Sequence, residues 1–186
     1  MKKALLALAL VFPVATSMAA TPSKKASQAS AVSEINNPFT PERNQATGNL
    51  SMTIIIQQKM AMACKDKPDL NEEKIKASLK KWIDKNKIYL QTHADYMGGY
   101  FATVQQFEGE ETAKKVQADM KKTFNEQSDS VIKTAFEKKG PEAACKQYFA
   151  AMNDGKMDIK TSHPDYKVLN GMVEYSKKAM AKTAKQ

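Results

Sequence analysis

Arginine is almost absent from this chain. Arg43 stands alone among 29 basic residues, and every other strong cation is lysine. A planar guanidinium grips phosphate and guanine edges through two parallel hydrogen bonds, whereas lysine acts as a solvated point charge. The composition therefore argues against a nucleic-acid partner despite a formal net charge of +9. Histidine is as scarce: His93 and His163 are the only two. A zinc site wants three or four His, Cys or carboxylate ligands, and H-E-x-x-H does not occur, so no metal is expected. Met60 and Met62 flank Ala61, but on a helix their side chains point about 200° apart, which leaves them as core filler rather than a soft-metal pair. G-x-S-x-G is missing, as are S-x-x-K followed by its partner motifs and any arrangement of histidine with a free thiol. No cofactor is expected and the chain does not read as an enzyme.

Long apolar runs are also lacking. After the first residues nothing approaches the roughly 20 apolar positions a membrane-spanning helix needs, so no integral membrane segment is expected. What stands at the start is a secretory leader. Lys2 and Lys3 supply the positive charge, Ala4 to Val14 a short apolar stretch, and Ser17 and Ala19 the small residues that signal peptidase reads. Cleavage is expected after Ala19. No cysteine sits at that junction for acylation, so the mature chain is expected free in the periplasm or secreted.

Only Cys64 and Cys145 occur, and neither lies in C-x-x-C, which removes thiol oxidoreductase chemistry. An even count in an exported protein predicts a Cys64–Cys145 disulfide. Closing so long a loop is worth about 4–5 kcal/mol by loop-closure entropy if the bridge is unstrained.

Residues 20–48 are rich in Ser, Ala, Lys, Asn and Pro, and bury too little to offset their ordering entropy. They are expected to form a flexible arm that docks through Phe39 when a partner is present. Residues 49–186 read as one helical domain. A first helix from about Leu50 to Lys65 puts Met52, Ile55, Ile56, Met60 and Ala63 on one face. Asp69 to Glu72 has capping-box form, with Asp69 at the cap, and opens a helix striped by Ile75, Leu79, Trp82 and Ile83. Asp84–Lys87 reads as a bend. Ile88–Phe107 is the most apolar and aromatic segment, and Gly109 ends it. The following helix carries Ala113, Val116, Met120, Phe124, Val131 and Phe136, with a break expected at Gln127–Ser130. Gly140-Pro141 stops one helix and starts the next, whose buried face is Ala144, Cys145, Tyr148, Phe149 and Met152. A last helix follows His163-Pro164-Asp165, with Val168, Leu169, Met172, Val173 and Met180 on one side. The fold class is all-α: an irregular bundle of about six or seven helices with the disulfide tying the first helix to the penultimate one.

One cluster stands out for function. His93, Tyr96, Met97 and Tyr100 lie along one side of a helix, with Phe101 beside them and Gly98-Gly99 in its middle. Two glycines inside a helix cost about 1 kcal/mol each against alanine, so a kink, close packing or an approaching ligand should offset them. Aromatic anchors dominate protein interfaces, and His93, Tyr96, Tyr100 and Phe101 are the candidate partner surface. The expected function is a binding or inhibitory protein of the bacterial envelope that acts by contact with another protein, for instance an immunity protein against a toxin acting in the periplasm. Two alternatives stand beside it: a general envelope stress or chaperone-like factor, and a helical enzyme or small-ligand carrier with its site near His93 and Tyr100. The lysine-rich faces also allow weak contact with an anionic surface.

Overall fold

The computed structural model describes residues 38–183, and side chains as far as 178. The leader expected through Ala19 and the arm as far as residue 37 lie outside the described residues, as does the side chain of Met180. Among the described residues there are five helices and no strand: α1 Pro41–Cys64, α2 Glu72–Glu108, α3 Glu110–Lys139, α4 Pro141–Asn153 and α5 Tyr166–Thr183. No described helix is long and apolar enough to cross a membrane.

The all-helical class and the disulfide stand, but five helices replace six or seven because two expected breaks are continuous. Asp84–Lys87 is helical because Asn86 is buried and uses its amide twice. Its Nδ2 donates to the Trp82 carbonyl at 2.7 Å and its Oδ1 accepts the Ile159 N–H at 2.7 Å. A polar side chain that looked like a loop signal is a bracket for a distant segment. Gln127–Ser130 is helical for a similar reason. Ser128 is fully buried and donates to the Asn125 carbonyl, while Lys59 of α1 reaches that same carbonyl and pairs with Asp129 at 2.6 Å.

Two helix starts also differ from expectation. The first helix begins at Pro41 rather than near Leu50, so residues 38–48 are not part of a flexible arm. Thr40 is its cap, accepting the Arg43 N–H, Pro41 occupies the first turn, and Glu42 is the acid favoured there by the helix dipole. Ala46 and Thr47 are buried in the core. The second helix is capped by Asn71, which accepts the Lys74 N–H at 2.9 Å, and not by Asp69, which sits at φ 65° in the connection. Ala63, Ile83 and Val131, expected on buried stripes, are exposed.

Two glycines make the sharp helix-to-helix turns. Gly109 (φ 89°) and Gly140 (φ 77°) each end one helix and open the next, in backbone conformations that L side chains rarely adopt. α1 and α2 form the centre, each packing against all four other helices, while α5 touches only these two. The core gathers Leu50, Met60 and Cys64 from α1, Ile75 and Trp82 from α2, Phe149 and Met152 from α4, and Leu169 and Met172 from α5. Each such side chain contributes about 1.5–3 kcal/mol on burial. Cys64 and Cys145 are bonded, with Cα atoms 5.6 Å apart, and tie α1 to α4 within that core.

Candidate interaction groove

The helix pairing places His93, Met97 and Phe101 of α2 opposite Ser51, Ile54, Ile55 and Gln58 of α1 and opposite Gln117, Met120, Lys121 and Phe124 of α3. Between them runs a groove of about 390 Å³. The three α2 residues follow at four-residue steps and therefore share one edge of the helix. Ile54, Ile55, Met97, Phe101, Met120 and Phe124 supply its apolar surface, and all six are only half-buried. Lys121 is the one charged lining residue, and no carboxylate lines the groove.

The expected partner surface is thereby divided between two faces of α2. His93 and Phe101 face the groove. Tyr96 and Tyr100 instead pack edge-on against Phe39, with ring centroids 5.1 and 5.6 Å away, and the Tyr96 hydroxyl donates to Asn44 at 2.8 Å. Phe39 is thus seated on its own chain. Arg43 fixes the same segment from another side, donating to the Pro38 carbonyl and lying 5.1 Å over the Tyr175 ring. The lone arginine is an internal clasp. Gly98-Gly99 serves no tight contact: a Cβ at Gly98 would meet nothing within 4 Å, and one at Gly99 would rest 3.7 Å from the Phe39 ring.

His93 sits at the base of the groove with Nε2 2.8 Å from the Ser51 hydroxyl. Burial pushes its imidazole below the ordinary histidine range, and a hydrogen bond to the Thr47 backbone opposes that shift in part. A neutral ring bonded to backbone through Nδ1–H would present an acceptor at Nε2, and the Ser51 hydroxyl would donate to it. A serine beside a histidine base invites a nucleophilic reading. Ser51, however, lies inside α1, where backbone N–H groups are consumed by the helix ladder and cannot stabilise an oxyanion. The pair acts here as a polar link between α1 and α2. Among the described residues no three His, Cys, Asp or Glu side chains converge as a metal site requires.

Sequence reasoning passed over the α3 wall of this groove. Met120 and Phe124 have the spacing of core residues, and only the position of α3 leaves them half-covered. The sparse burial of α3 is the signal: Ala113 and Ser128 are its only buried residues. No protein family matches the chain, and neither curated proteins nor solved structures yield a match.

Proposed function

We propose that this is an exported envelope protein that binds another protein and inhibits it by occupying its surface, an immunity protein against a periplasm-acting toxin being the concrete form. The leader and the oxidised cysteine pair support an exported chain. The groove between α1, α2 and α3 carries the reading, because six half-buried apolar side chains stand there without enough of their own chain to cover them. Its volume suits one or two bulky side chains from a partner, the kind of anchor that dominates interface energetics. With Lys121 on the rim and no carboxylate in the lining, the matching segment is an amphipathic helix with acidic flanks.

Photo-crosslinking from position 101 or 120 in the intact envelope tests this reading. One dominant partner is expected, with capture lost on Phe101→Lys or Met120→Lys and kept on Phe107→Lys, all at unchanged thermal midpoint. A spread of unrelated clients would favour the chaperone-like alternative, which the flexible Met97 and Met120 in the groove also suit. Capture indifferent to both groove substitutions would overturn the groove as the binding surface.

A further inference from the structure

A second groove, of about 450 Å³, lies between the N-terminal half of α2 and α4, away from the one just described. Leu70, Ala77, Phe149 and Ala150 give it an apolar floor. Three ammonium groups border it, those of Lys74, Lys81 and Lys146.

These lysines are held in place. Lys74 donates to the Asp69 carbonyl at 3.1 Å, Lys81 donates across the groove to the Asn153 carbonyl at 3.0 Å, and Lys146 contacts the Asp69 carboxylate at 3.4 Å. An ammonium group has three donors, so each of these contacts leaves others available. Two of the three therefore gather on one residue, where a single carboxylate answers two cations. Asp69 is the only acid in the lining. A surplus of positive charge thus stands at one end of an apolar trough.

We infer that this groove binds a small anionic amphiphile, its phosphate or carboxylate head between Lys74 and Lys146 and its hydrocarbon body on Phe149, Ala77 and Ala150. A volume of this size lies in the range of small-molecule sites, about 300–1,000 Å³. The apolar floor distinguishes the ligand from a bare anion, and the trough distinguishes it from a flat lipid surface. The Asp69 carboxylate competes with the head group for Lys146, which gives the site a signature of its own.

Amide NMR of the disulfide-bonded mature protein, titrated separately with decyl phosphate, inorganic phosphate and phosphatidylglycerol vesicles, tests the assignment. Decyl phosphate should shift the amides of Ala77, Ser78, Phe149 and Ala150. Lys74→Gln with Lys146→Gln should weaken it about tenfold, the scale of one lost charge-assisted contact. Asp69→Asn should tighten it, by about threefold for an exposed competing charge. Asparagine also tolerates the left-handed backbone at that position, so the variant should fold. Inorganic phosphate binding as tightly as decyl phosphate would overturn the role of the floor. Binding to vesicles alone, shifts confined to the α1–α2–α3 groove, or indifference to all three substitutions would overturn the site.

Discussion

The two halves of α2 live in different surroundings. From Ile75 to Thr92 the helix buries Ile75, Ser78, Trp82, Asn86 and Thr92, whereas beyond Thr92 only Val104 is buried and Phe107 is 77 % exposed. The first half is gripped by the disulfide-tied core and by the connection between α4 and α5. Trp82 donates its indole N–H to the Met157 carbonyl at 2.8 Å, and Lys85 pairs with Asp158 at 3.1 Å. The second half meets α3, which buries little, and the Pro38–Asn44 segment. One helix thus joins a tightly packed scaffold to a more open end that carries half-covered apolar side chains. Stability and recognition are placed on different turns of the same element.

The contrast can be broken most strongly at Trp82. Trp82→Ala should cost about 3–5 kcal/mol in chemical denaturation, against about 0.5 kcal/mol or less for Phe107→Ala at the open end. Similar losses at both positions would show that the two halves do not differ in packing. Replacing Cys64 and Cys145 together by alanine should remove about 2–5 kcal/mol, and hydrogen exchange should rise first in α1 and α4 rather than in α3. Gly98→Ala should raise the unfolding free energy by up to about 1 kcal/mol, since a Cβ there meets open space. A destabilised Gly98→Ala protein would mean that the open end needs the glycine's freedom.

The smallest effect is on pH dependence. Burial holds His93 and His163 below the ordinary histidine value, so between folded and unfolded pKa the unfolded chain binds more protons. Stability is therefore full above about pH 6.5 and falls as pH drops through that value toward the folded pKa. His93→Asn should flatten part of this slope, read as the urea midpoint between about pH 7 and 5.5. An unchanged slope would exclude His93 as a contributor.

Much of the fold is legible in local signals. Gly109 and Gly140-Pro141 mark helix junctions, and Cys64 with Cys145 predicts the bridge. The α4 stripe of Ala144, Cys145, Phe149 and Met152 is buried as its spacing implies. The misreadings share a cause. Asn86 and Ser128 are polar, and polarity in sequence resembles a loop until a distant backbone group is found to satisfy it. The start at Thr40-Pro41-Glu42 was readable from cap, proline and acid, but the polar composition around it outweighed three correct residues. For the site, His93 and Phe101 were singled out with Tyr96 and Tyr100, yet nothing local shows that Phe39 covers the two tyrosines.

By itself the sequence determined the helical class, the oxidised cysteine pair and most helix ends, because periodicity, capping and glycine conformation act within a few residues along the chain. Tertiary structure alone decided that α2 runs unbroken through Asn86, that the aromatic cluster divides between two faces, and that Met120 and Phe124 complete a groove with α1. Those outcomes depend on which residues meet across more than 20 positions of chain, such as Asn86 with Ile159 and Ser51 with His93. Local spacing carries no record of such partners.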